Sequence, residues 1–241
     1  ATAYDNVLLD DVITVGPTRE LGLDDGGHIY RAHKAGQPAA LLQAWFPGQA
    51  QGDALARVLT GAAEPGGRLP LTIPASIDDT PAADRRTYPG VDGSVYYDEG
   101  VFVGYRAVTA DGPSPAYHFG HGLTYTTFAY SDLEVLQDDG DNVATVAVTV
   151  TNTGEREGSE VAQVYVGALP VPVETPERQL AGFAKVTLAP GASQRVEVAV
   201  PRRAVSYFDA DAHDWVSASG EVVLLVGASS NDVRLSGSVV V

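Results

Sequence analysis

The hydrophobic positions change period along the chain. Residues 6–15 carry Val7, Leu8, Leu9, Val12, Ile13 and Val15, a short strand interrupted by Asp10 and Asp11 and ended by Gly16 and Pro17. Residues 21–27 are acidic and glycine-rich, the composition of a loop. Residues 39–44 form a short apolar run, which predicts a parallel strand of an α/β layer. The turn after it holds two large anchors, Trp45 and Phe46. Over 51–60 the apolar positions are Ala54, Leu55, Val58 and Leu59, one face of a helix, with Gly61 placed as its C-terminal cap. A glycine-rich turn then leads into a strand over 69–73. Residues 74–93 are rich in Pro, Asp, Ser and Thr without a period, a surface loop.

From Tyr130 onward the period is two. Val146, Val148 and Val150 share one parity, and Asn152-Thr153-Gly154 ends that run in a turn. Val161, Gln163 and Tyr165 then alternate with Ala162, Val164 and Val166. Further runs over 180–188, 195–200, 221–226 and 233–241 bring the total to about seven short strands, which predicts an antiparallel sandwich of immunoglobulin or fibronectin topology. Trp215 is the expected large anchor of its core. The fold class expected is mixed: a partial α/β segment, then an all-β sandwich.

The stretch between these parts follows neither period. It reads Tyr96-Tyr97-Asp98-Glu99-Gly100, then Phe102-Val103-Gly104-Tyr105-Arg106, then Phe119-Gly120-His121-Gly122-Leu123-Thr124-Tyr125-Thr126-Thr127-Phe128. Glycine allows close backbone approach and positive φ, and aromatics supply buried area. The expectation is a rigid, largely extended connector buried between two bodies.

These residues resemble the segment of glycoside hydrolase family 3, β-glucosidase type, that joins the α/β-sandwich domain to the fibronectin type III-like domain. The family pattern is Tyr-x-Glu-Gly-x-x-x-Gly-Tyr-Arg, a variable loop, then Phe-Gly-His-Gly-Leu-Ser-Tyr-Thr-x-Phe; here Thr124 replaces the serine. The run Ala44-Trp45-Phe46-Pro47-Gly48-Gln49 and the later Gly67-Arg68-Leu69-Pro70 resemble the end of the family's α/β-sandwich. The resemblance extends from about Leu41 to the C-terminus. It implies three parts: 1–76 as a partial α/β-sandwich segment, 77–129 as the connector and 130–241 as the fibronectin type III-like domain. It also implies a parent enzyme that hydrolyses β-linked glucosides or related glycosides with retention, without a cofactor. The partner implied is the N-terminal barrel and α/β-sandwich region, in cis or as a separate chain, together with a glycoside substrate.

Glycoside hydrolysis uses two carboxyl groups. In the family the nucleophilic aspartate lies in the barrel and the acid/base glutamate earlier in the α/β-sandwich. Neither surrounding motif is present, so no catalytic residue is assigned, and this chain is expected to be scaffold. Glu20 with Asp24 is a faint echo of a family series, with the arginine missing and the distance to Trp45 too short. Glu99 is the best-placed carboxylate, with a buried pair to Arg106 or another arginine, fixing the connector, as its structural reading. Trp45, Tyr97 and Glu99 are the candidates for a substrate-side role. Trp45, Phe46, Tyr88, Tyr96 and Tyr97 could stack on sugar rings, against interdomain packing as the plainer role. His118 and His121, three apart, lack the carboxylate and geometry of a metal site, and His121 fits a tight turn. Asp209, Asp211 and Asp214 lack the glycine and bidentate glutamate of a calcium loop and read as an acidic hairpin turn. No metal or cofactor is therefore assigned. Ser76, Ser159 and Ser206 have no nucleophile-elbow context.

Composition narrows the partners. The net charge of -16 argues against nucleic acid and anionic membrane surfaces, which need Lys and Arg. The only lysines are Lys34 and Lys185, the mark of a GC-rich genome or of adaptation to high salt. No apolar run approaches the ~20 residues of a membrane helix, and no signal-peptide pattern precedes the first strand. With no cysteine, disulfides are excluded and the compartment, cytoplasmic or secreted, is left open. Two other readings fit a β-sandwich: a non-catalytic carbohydrate-binding or adhesion module, and a structural spacer.

Overall fold

The computed structural model describes residues 12–15, 40–46, 48–80, 83–109 and 112–241. Glu20, Asp24 and the loop expected at 21–27 lie outside them. The chain divides into two compact units, Ala1–Ala63 and Glu64–Val241.

In the first unit, β1 (Val12–Val15) and β2 (Ala40–Gln43) pair antiparallel, Val12 opposite Gln43 and Val15 opposite Ala40. The parallel direction expected for 39–44 is therefore corrected. A short apolar run signals a strand but not its direction, which its partner sets. Helix α1 (Gln51–Leu59) follows, and Gly61 at φ +74° donates its N–H to the Val58 carbonyl, closing the helix as the sequence indicates. Trp45 has positive φ and is 37% exposed, and Phe46 is 74% exposed.

The second unit contains the sandwich. A three-stranded sheet of order β3-β4-β7 faces a four-stranded sheet of order β11-β10-β5-β6. The strands are β3 (Phe128–Gln137), β4 (Asn142–Asn152), β5 (Gly158–Gly167), β6 (Arg178–Leu188), β7 (Ser193–Pro201), β10 (Glu221–Gly227) and β11 (Val233–Val240). Every pairing in these sheets is antiparallel. One parity of each inner strand makes the core: Val146, Val148 and Val150 from β4, Val164 and Val166 from β5, Val196 and Val198 from β7, Val222, Leu224 and Val226 from β10. Each buried valine contributes about 1.5–3 kcal/mol over an exposed one. Asn152 ends β4 fully buried but satisfied. Its Nδ2 donates to the Arg156 and Leu188 carbonyls, and its Oδ1 accepts from the Thr126 hydroxyl and the Gly154 N–H. That bonding fixes the turn expected at 152–154.

An additional hairpin, β8 (Ser206–Asp209) with β9 (Asp214–Ser217), lies outside both sheets. It carries Trp215, which is 46% exposed. The expectation of a tryptophan core anchor is thus corrected: valines fill the space between the sheets, and Trp215 lies under the Arg203 guanidinium, 3.0 Å from the ring centre. The hairpin's turn is acidic, as read from sequence. The Asp209 Oδ1 accepts from the N–H groups of Asp211 and Ala212 at 2.9 and 3.0 Å.

Candidate functional site: the connector and its seat on the sandwich

Strand β5 is buried on both faces. Ala162, Val164 and Val166 point into the core, while Gln163 and Tyr165, of the opposite parity, are equally buried. What covers this second face is the connector, with the residues just before it. Leu69 donates its N–H to the His121 carbonyl and accepts from the Gly120 N–H, at 2.9 and 2.8 Å. Ile73 and Tyr117 exchange both backbone bonds. The strand expected at 69–73 is thus an irregular antiparallel pairing with 117–121, not a regular ladder.

Two glycines make this approach possible. At Gly120, with φ +81°, a Cβ would lie 2.1 Å from the Gln163 Oε1; at Gly122 it would lie 2.5 Å from the Gly67 carbonyl. The Gln163 Nε2 donates to the Gly120 and Ala228 carbonyls, and its Oε1 accepts from the Tyr165 hydroxyl. Tyr105 stacks on Phe119 at 4.4 Å, meets Tyr165 edge-on, and its hydroxyl oxygen accepts from the Leu180 N–H. Burial raises the Tyr165 phenol above its ordinary range, so it is held as a donor. The Phe-Gly-His-Gly and Gly-Tyr-Arg motifs are therefore clasps onto β5.

One buried ion pair completes the seat. Arg68 Nη2 meets Glu160 Oε1 at 2.8 Å, and each side chain is 8% exposed. Arg68 also donates to the Ser159 carbonyl, and the Glu160 Oε1 accepts from the Val161 N–H. Sequence reasoning missed this pair and Gln163. The available signal was β5 itself, which is apolar on both parities and so calls for two covers.

The sequence-selected residues separate into different settings. Trp45 lies in the first unit, 37% exposed. Tyr97 is 79% exposed on the connector. Glu99 is half-buried, and its Oε2 is buried with no hydrogen-bond partner. The bend that a Glu99–Arg106 pair required is present, with Gly100 at φ +55° and Gly104 at +58°. The pair itself does not form. A 3-10 turn over Gly104–Ala107 directs Arg106 into a cleft of about 550 Å³ beside Val173, Phe208 and Trp215.

His121 bonds through its backbone, its N–H to the His118 carbonyl at 3.1 Å. Both imidazoles are held below their ordinary pKa, first by desolvation, then by the charge of Arg178 near His118 and of Arg68 near His121. The Asp232 carboxyl is lowered by its bond to Arg234, the opposite of what a general acid requires. Ser76 caps a 3-10 turn, Ser159 bonds Thr187, and Ser206 donates to the Arg202 carbonyl, so each hydroxyl has a structural partner. The hydrogen bonds described on this surface serve packing.

Comparison with known proteins agrees with this arrangement. Residues 8–105 match the glycosyl hydrolase family 3 C-terminal domain, and residues 160–230 match the fibronectin type III-like domain. A β-glucosidase of Rhizobium radiobacter is 41% identical over 235 residues, covering 96% of this chain and 29% of the relative. An exo-α-(1→6)-L-arabinopyranosidase of Bifidobacterium breve is 38% identical over 226 residues, covering 94% and 30%. The crystal structure of DesR, a β-glucosidase from Streptomyces venezuelae in complex with D-glucose, superposes with a TM-score of 0.78 at 40% identity, over 82% of this chain and 25% of that one. The chain thus spans between a quarter and a third of the length of these relatives. It belongs to glycoside hydrolase family 3, and it corresponds to the C-terminal region of that family's β-glucosidases.

Proposed function

We propose that this chain is the scaffold portion of a retaining β-glucosidase-like glycoside hydrolase and does not cleave glycosides by itself. The observation that carries the reading is the match along 96% of the chain to a β-glucosidase of which it spans only 29%. Residues 1–76 act as the end of the α/β-sandwich, 77–129 as the connector and 130–241 as the fibronectin type III-like domain. The remaining barrel and α/β-sandwich region, in cis or as a separate chain, supplies the two carboxyl groups that such hydrolysis needs. Trp45, Tyr97 and Glu99 serve at most on the rim of the pocket. Relatives of similar identity carry names with different sugars, which supports placing the choice of sugar outside this region. The test compares turnover of an aryl β-glucoside by this chain alone and by the chain joined to the remainder of a family 3 enzyme. Turnover should appear only in the joined form.

A further inference from the structure

The connector has two sides of different character. One is fastened to β5 by the bonds described above. The other leaves Tyr88, Val95, Tyr97, Val101 and Val103 exposed. Of the exposed large apolar side chains in Glu64–Val241, more lie in residues 71–125 than in the whole sandwich that follows. Exposed apolar side chains gathered on one stretch of chain fit an interface. It continues onto the sandwich, because Val101 and Arg106 line the same cleft as Val173, Phe208 and Trp215.

Two charges on this stretch lack their complements. The Glu99 Oε2 is shielded from water without a donor. The half-buried Arg106 guanidinium has no hydrogen bond or ion pair with any described residue, and it lines a cleft that also holds Glu174 and Arg203. The shielded Glu99 oxygen is costly unless a partner supplies a donor. The two charges are opposite in sign and seven residues apart, so the partner must offer a donor or cation at one point and an anion at the other.

We propose that this outer side, from Tyr97 through Arg106 to Trp215, is the docking surface for the catalytic remainder of the enzyme. That remainder presents an apolar patch with a cation or N–H opposite Glu99 and a carboxylate opposite Arg106. The inference rests on the proposed function, which provides the occupant: relatives more than three times as long as the chain contain a body large enough to cover this surface. Glu99 and Arg106 are then positioning residues that fix the register of docking.

Hydroxyl-radical footprinting reads this directly. The probe is the chain alone, compared with the chain joined to the remainder of the Rhizobium radiobacter β-glucosidase in place of the region it matches. Tyr97 and Trp215 should be oxidised at least about five-fold more slowly in the joined enzyme, while Leu136 on β3, across the sandwich, keeps its rate. Glu99→Gln and Arg106→Met should lower the melting temperature of the joined enzyme more than that of the chain alone. Unchanged oxidation of Tyr97 and Trp215 in an active joined enzyme would overturn the docking surface and leave the proposed function standing. Protection of both residues in a joined enzyme without turnover would do the reverse. A dimer of the chain alone that shields the same residues would identify a second copy as the occupant and also overturn the proposal.

Discussion

Gly120 and Tyr165 show what single side chains contribute. Gly120 holds positive φ, and its missing Cβ is replaced by the Gln163 amide. Gly120→Ala combines backbone strain with overpacking and should cost on the order of 2–4 kcal/mol in a urea unfolding measurement. Tyr165 is fully buried, so Tyr165→Ala should cost about 3–5 kcal/mol, whereas Trp215→Ala in the same chain should cost about 1 kcal/mol. The order of these last two inverts what the sequence suggests. Trp215 is the larger ring, and size argues for the core, but its neighbours His213 and Asp214 place it in a polar hairpin. Tyr165 stands among valines on β5, and that context is the better guide. The Glu99–Arg106 pair failed for a related reason. Spacing and flexible glycines show that two charges can meet, but the 3-10 turn that separates them was not legible.

At the scale of elements, the period-two pattern located six of the seven strands of the two sheets, all but β3, and the 3.6-residue pattern located α1. The direction of β2 was not recoverable, because a four-residue strand carries too few positions to show its partner, whereas the turn of the β8–β9 hairpin was read from its aspartates. The double burial of β5 has a consequence for folding. Residues 128–241 alone would leave Glu160, Gln163 and Tyr165 without their cover, while 64–241 retains it. The longer span should therefore unfold in one cooperative transition, and the shorter should melt lower or aggregate. Differential scanning calorimetry of the two spans checks this. The connector also makes the fold sensitive to acid. His118 and His121 sit below their ordinary pKa of 6.5, so the folded chain binds fewer protons there than the unfolded one. Their contribution is complete above pH 6.5 and is lost as pH falls through the window beneath it. Asp232, also lowered, adds a second loss below its ordinary 3.8. Melting temperature should fall from pH 7 to 5, and less steeply in the His118→Gln, His121→Gln double variant.

For the whole molecule, the sandwich and its connector belong to one compact unit, Glu64–Val241. The proposed scaffold role places catalysis elsewhere in the enzyme. Its most direct test is steady-state hydrolysis of an aryl β-glucoside by the purified 241-residue chain. The account predicts no turnover above the uncatalysed rate at any pH. Turnover by the chain alone that disappears when a single aspartate or glutamate within it is replaced by its amide would contradict the account.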